Sequence, residues 1–344
     1  MGPPAVGTIE VEWHPLDGPF DATVGPSGVW TGTEAIFWGG LRYVPDPPWY
    51  DTAATNSGIA YNPSAERWRQ LRDAPIEPRS FAGATWTGQE MLVWGGARDS
   101  GRMARGGAAY DPETDRWSVM AEAPSAWQRR AADRWYDQEV QPAHVWTGSE
   151  WVIGFEDPRE DQSYFVSMAA YNREQDSWRL LPDAPGSSTS ASQLVWTGDS
   201  LVLRSYEAVV QLGPGDSSWT PISEMPWGEP PVSIVWDGEH LVGAGNYLAE
   251  WSPQADAWQT YPPPPSGAWG DLALSGDFIV PIGSSLAYDS VSQEWWQLSR
   301  SMSVYREFSV RVWTADELIY WGGWECGECL DGVFDTGIVY TPRW

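Results

Sequence analysis

The sequence predicts an all-β chain folded as a single seven-bladed β-propeller. Three observations carry that expectation: a phrase recurring seven times, a second phrase recurring between its copies, and chain ends that complete one another. The first phrase reads VWTGTEAIFWGG at 29–40, TWTGQEMLVWGG at 85–96 and VWTGSEWVIGF at 145–155, and returns at 195, 235, 273 and 312. The second reads AYNPSAERW up to Trp68, AYDPETDRW up to Trp117 and AYNREQDSW up to Trp178, with looser copies ending at Trp219, Trp258 and Trp295. Copies of the first phrase stand 38 to 60 residues apart, room for four short strands and their turns.

Each unit supports four strands in order. Strand a ends in Trp-Thr-Gly, and the Thr-Gly-x-Glu tetrad is a tight turn into strand b, an apolar stretch ending in paired glycines. Strand c carries the Tyr of Ala-Tyr-Asp-Pro, whose Asn/Asp-Pro opens a turn into strand d, and strand d carries the closing Trp. Paired glycines suit a place where a side chain would obstruct backbone or demand an awkward φ. The chain stops at GIVYTPRW (337–344), a strand c with little after it, and starts with IEVEWHPLDGP (9–19), which matches strand d through Trp13 and Leu16. Residues 9–19 are therefore expected to close the last blade and leave no open sheet edge. The other blade spans read 23–72, 79–121, 139–182, 189–223, 229–262, 267–299 and 306–344, a single domain over 1–344.

Composition excludes several classes. The 344 residues hold 20 basic and 47 acidic side chains, a formal charge of −27, and every basic residue is arginine. Nucleic acid is a poor partner for such a chain, because binding it depends on cations against phosphate. Without lysine there is no Schiff base, no pyridoxal-phosphate anchor and no GxxxxGK[ST] phosphate loop. Two cysteines build neither a disulfide scaffold nor a four-thiolate zinc site. No apolar run is long enough to span a membrane, and residues 1–12 lack the basic start and apolar core of an export signal. Arginine-only usage with an acidic excess fits either genome bias or a salty or extracellular setting. No GxSxG elbow, HExxH or dinucleotide fingerprint occurs, no cofactor is implied, and a monomer is expected.

In blade two, Pro78-Arg79, Gly95-Gly96, Tyr110-Asp111-Pro112, Trp117 and Ala123-Pro124 together resemble the kelch repeat of bacterial kelch propellers and of the galactose oxidase central-domain superfamily. Blades four to six depart from the pattern, lacking both the paired glycines and the arginine. The resemblance implies a kelch-like propeller but no single activity, since such propellers include oxidases, sugar-acid epimerases, specifier proteins and interaction modules. The oxidase copper site needs two histidines and two tyrosines. Only His14, in an outer strand, His144, and His240, after an a–b turn, are present, so that site is not expected.

Strand alternation sends loops a–b and c–d to one face, where they are short, and loops b–c and d–a to the other, where length varies. The long ones, 41–57, 97–106, 121–142, 154–168 and 324–336, belong to blades one, two, three and seven and are expected to wall one side of the central channel. Arginine gathers there: Arg98, Arg102 and Arg105 in one loop, Arg129, Arg130 and Arg134 in the next, and Arg42 in blade one. Arg79 and Arg306 stand seven residues before a strand-a Trp. Guanidinium forks suit carboxylate, sulfate or phosphate. The plainer alternative pairs them with Asp99, Glu122, Asp133, Asp137 and Glu139.

Sixteen of the 26 tryptophans repeat with the blade and read as packing wedges. Trp49, Trp127, Trp135, Trp227, Trp269 and Trp324 map instead to the variable face, where they either stack on a ligand or anchor their own loops. Cys326 and Cys329 in CGEC read as a loop disulfide, which implies an extracellular or periplasmic compartment; free thiols, or two thiolates sharing a metal with His144, are the alternatives. The many acids of this face, Asp157 among them, read as solvated charge. Glu139, which shares a repeat position with Glu229, and His144 are the candidate general bases. The expected function is binding of an anionic small molecule or acidic carbohydrate on the variable face, with Arg79, Arg306, the loop arginines, the face tryptophans and Glu229 as ligand-binding residues. Two alternatives stand beside it: an epimerase or lyase acting on an acidic sugar in the same pocket, and a protein-docking scaffold.

Overall fold

Short apolar strands separated by tight turns bury both sheet faces only by stacking on copies of themselves, and seven small sheets do so here around a common axis. The structure, a computed structural model, describes the chain apart from residues 1–4, 22, 47–48, 101, 133–140, 159–163, 187–191, 267–269, 303–305, 315 and 324–335. It is a seven-bladed β-propeller. Each blade is an antiparallel sheet in the order a-b-c-d; blade one runs Ser27–Trp30, Ala35–Trp38, Gly58–Asn62 and Arg67–Gln70. The strands a lie side by side around the axis, neighbours in contact from blade seven through blade one to blade six. Among the described residues seven hydrophobic clusters form, one at each junction between blades.

The N-terminal strand closes the ring as expected. Val11–Asp17 pairs antiparallel with Thr336–Pro342, setting Trp13 opposite Tyr340. The two residues before it go further: Thr8–Ile9 pair in parallel with Gln297–Leu298 of blade six. The leading segment therefore spans two blades.

The strand-d tryptophan is more than a wedge. Its indole N–H donates to a carbonyl of the preceding blade in six junctions: Trp68 to Asp17 (3.0 Å), Trp117 to Arg72 (2.8 Å), Trp178 to Ala121 (2.8 Å), Trp219 to Pro182 (2.9 Å), Trp258 to Ser223 (2.8 Å) and Trp295 to Pro262 (2.7 Å). The seventh differs. Trp13 is 47% exposed, and Arg300 lies over its ring at 5.2 Å in place of the indole bond. In blades two and three the c–d turn aspartate completes the clasp. Asp115 accepts from the Tyr110 hydroxyl and the Arg72 amide, and Asp176 from Tyr171 and the Ala121 amide.

The paired glycines mark a second contact. Gly40 donates its N–H to the Arg79 carbonyl of blade two, and Gly323 donates to the Thr23 carbonyl of blade one. Both pairs have positive φ, and a Cβ on Gly322 would stand 2.2 Å from the Thr23 oxygen. Glycine is required because the next blade's backbone occupies the side-chain space.

The long loops of blades one to three carry structure of their own. Loop 41–57 is a β-hairpin, Leu41–Asp46 against Trp49–Ala54. In blade three, strands b and c extend over Glu150–Pro158 and Tyr164–Asn172 and take up Ala184–Gly186 as an added strand. Loop 121–142 contains a helix, Ser125–Ala132, which the sequence reading did not foresee. Among the described residues no helix is long and apolar enough to cross a membrane.

Candidate functional site

Two positions of the repeated phrase build the channel. In blades one, four, five and six the residue three before the strand-a Trp, or before its equivalent Leu274, reaches to the next blade. Ser27 Oγ donates to the Ala82 carbonyl (2.6 Å), and Gln193 Oε1 accepts from the Ile234 amide (2.9 Å). Ser233 Oγ accepts from the Leu272 amide (3.0 Å), and Asp271 accepts from the Arg311 guanidinium (2.5 Å). The residue two before the Trp, or before its equivalent Leu274 in blade six, also lines the channel. It is small in blades one and two (Gly28, Ala84), polar in blades three and seven (His144, Arg311), and aliphatic in blades four to six (Leu194, Ile234, Leu272).

These residues line two connected stretches. On the long-loop face a pocket of about 300 Å³ lies among Gly28, Ala84, Gln141, His144, Ser309 and Arg311. Along strands a of blades three to seven runs a cavity of about 640 Å³, bounded towards the short-turn face by Trp146, Trp196, Trp236 and Trp313. Arg311 lines both. The strand-a tryptophans, expected to be packing residues only, thus also edge the channel.

Charge in this wall is uneven. The Asp271 carboxylate is shared by two guanidiniums, because it also acts electrostatically on Arg204. Arg204 is buried and its Nε donates to the Pro231 carbonyl (2.5 Å); burial lowers its pKa, with Asp271 working against that shift. Burial likewise opposes protonation of Arg311, but Asp271 and Tyr320 reverse the balance and its pKa is raised. Arg204 lines neither stretch, whereas Arg311 lines both and keeps its side chain 41% exposed. Across the pocket, burial pushes the His144 imidazole down to about 4, so it is neutral at neutral pH; its ring meets Trp151 edge-on at 5.8 Å.

The residues expected to form the site scatter. Arg79 is 1% exposed, its Nε donating to the Glu77 carbonyl and its Nη1 to the Gly95 and Gly106 carbonyls at 3.0 and 2.9 Å. Burial pushes it down to about 10, against Glu77 and with Arg98. Arg306 does the equivalent job in blade seven, with Nη1 donating to the Thr336 carbonyl (2.6 Å), while in blade one Thr23 Oγ1 covers the Gly39 carbonyl. These two arginines hold the ends of strands b and c where they point. Arg98 pairs with Glu77 at 3.1 Å. Arg102 and Arg105 are exposed and make no ion pair among the described residues, and Glu229 is exposed as well.

Trp127 does not face solvent. It is 2% exposed, packed against Trp94 (4.8 Å) and Phe155 (4.9 Å), so it anchors its helix rather than offering a surface. Trp227 lies edge-on to Tyr247 at 5.0 Å. Glu139, Arg134, Trp135, Trp269, Trp324, Cys326 and Cys329, together with the side chains of Trp49, Arg129 and Arg130, lie outside the described residues.

Arg311, Arg204 and Asp271 escaped the sequence reading. The signal was nevertheless present, because writing out the residue two before each strand-a Trp isolates His144 and Arg311 as the polar members of the ring. The molecule is thus a seven-bladed propeller with a side-chain-lined central channel. No protein-family model matches the chain, and no curated protein matches it.

Proposed function

We propose that the protein binds a small anionic ligand in its central channel, with Arg311 as the anion-holding residue. A single observation supports this: in a chain of charge −27, Arg311 lines both stretches of the channel, with its side chain 41% exposed. The Asp271 contact engages one of the five donors of Arg311, and the planar fork suits a carboxylate. Gln141 and Ser309 in the same pocket supply further polar atoms. The kelch-like roles of Arg79, Arg306 and the paired glycines fit a rigid frame around such a site.

The test is thermal unfolding with acetate, glucuronate and octanoate, each matched in ionic strength with chloride so that general screening cancels. A ligand at 100 times its Kd stabilises by roughly 2.7 kcal/mol, which raises Tm by about 4 °C in a chain of this length. The expected outcome is a rise with at least one carboxylate, lost in Arg311→Gln and kept in Arg102→Gln. A rise lost instead in Arg102→Gln or Arg105→Gln moves the site to the blade-two loop.

A further inference from the structure

Resting on that anion reading, we propose that the ligand is an amphiphilic carboxylate, its head at Arg311 and its apolar part running down the channel along blades four to six. The channel lining is split in chemistry. His144 and Arg311 share one pocket with Gln141, Ser309 and the small residues Gly28 and Ala84. Along blades four to six the lining is aliphatic, through Val195, Val235 and Ala273 with Leu194, Ile234 and Leu272 beside them.

The backbone agrees with the side chains. Strand a is the inner edge of its sheet, and an edge strand presents unpaired amides. In the aliphatic arc two of these amides are capped from the neighbouring blade: Ile234 N–H by Gln193, and Leu272 N–H by the Ser233 hydroxyl. Two of the wall's backbone donors are thereby taken up where it is aliphatic. Sugar hydroxyls placed there would meet fewer partners than in water, whereas an alkyl or aryl group loses nothing. Two residues below Arg311 in the same strand stands Trp313, about 7 Å further at ~3.3 Å per residue. Trp196 and Trp236 edge the same end. The cavity suits one small amphiphile.

Calorimetric titration of the full chain with acetate, butanoate, octanoate, glucuronate and 1-octanol at fixed ionic strength tests this. Affinity is expected to grow roughly fourfold for each methylene buried, so octanoate should exceed butanoate by at least tenfold, and Arg311→Gln should weaken octanoate while sparing 1-octanol. Carboxylates that bind without chain-length dependence, or glucuronate binding as tightly as octanoate, overturn the amphiphile and leave the anion site standing. Failure of every carboxylate, or octanoate binding that ignores Arg311→Gln and matches 1-octanol, overturns both. The chain-length series uses the wild-type protein, so the result does not depend on a variant folding.

Discussion

Blades seven, one and two are joined to one another by backbone, whereas blades four, five and six are joined by side chains. In the first group Phe81 N–H donates to the Gly25 carbonyl, Gly25 N–H to the Phe308 carbonyl, and the glycine pairs reach the next blade's chain. Gly25, Phe81 and Phe308 occupy the same repeat position, and all three have positive φ, two of them with a side chain that makes the conformation costly. In the second group the corresponding links run through Gln193, Ser233 and Arg204. The difference teaches where chemistry has room. Backbone stitching brings blades one and two close enough that the residue two before the strand-a Trp is small there (Gly28, Ala84), while in the side-chain-stitched blades four to six it is aliphatic (Leu194, Ile234, Leu272).

The largest effect should come from breaking the backbone stitch. Gly322→Ala places a Cβ on the Thr23 oxygen at positive φ and is expected to cost about 3 kcal/mol, read from denaturant unfolding. Gly245, at the corresponding repeat position in blade five, would press its Cβ on the Trp227 ring instead. A side chain can rotate away, so Gly245→Ala should cost about 1 kcal/mol. Equal costs would remove the distinction between the two halves.

Next in size is Arg79→Met. It takes the guanidinium donors from three carbonyls, that of Gly95 fully buried, and is expected to cost about 2–3 kcal/mol. Arg306→Met, whose site is less deeply buried, should cost about half as much. A loss confined to ligand response, with stability unchanged, would return Arg79 to the role expected from its sequence position.

This contrast also explains what was legible beforehand. Backbone contacts between blades force glycine at Gly39-Gly40 and Gly322-Gly323, and blade number, strand order and ring closure could be read from the phrase repeated seven times, the second phrase between its copies and the terminal segments. Side-chain links force no residue type: Ser27, Gln193, Ser233 and Asp271 each reach the next blade with three different side-chain chemistries. Arg79 looked like a ligand residue because arginine on a loop face usually meets solvent; here the loop folds over it and turns its fork onto carbonyls. Trp127 misled for the same reason, since the helix carrying it was read as an open loop.

A smaller effect separates the six indole clasps from the seventh junction. Trp178→Phe removes a donor from the Ala121 carbonyl and is expected to cost about 1 kcal/mol. Trp13→Phe removes no such bond and keeps an aromatic face for Arg300, so its cost should stay below about 0.5 kcal/mol. If Trp13→Phe proves as costly as Trp178→Phe, the closing junction is no looser than the rest.

The smallest expected effect is one of pH, at the polar edge of the channel. His144 is held neutral, its pKa pushed down by burial from the ordinary 6.5 to about 4. The unfolded chain therefore binds a proton in that window that the folded chain refuses. Stability from this group is fully present above pH 6.5 and is lost as pH falls towards 4. Between pH 7 and pH 6, before the carboxylates titrate, the loss should be about half a kcal/mol. His144→Gln should flatten it, since glutamine carries no charge at either pH. An unchanged slope in that variant would mean that the imidazole is solvated by the channel in the folded state. The wall between blades two and three would then be as wet as the aliphatic arc of blades four to six is dry, and the polar head pocket would be larger than the side chains around it suggest.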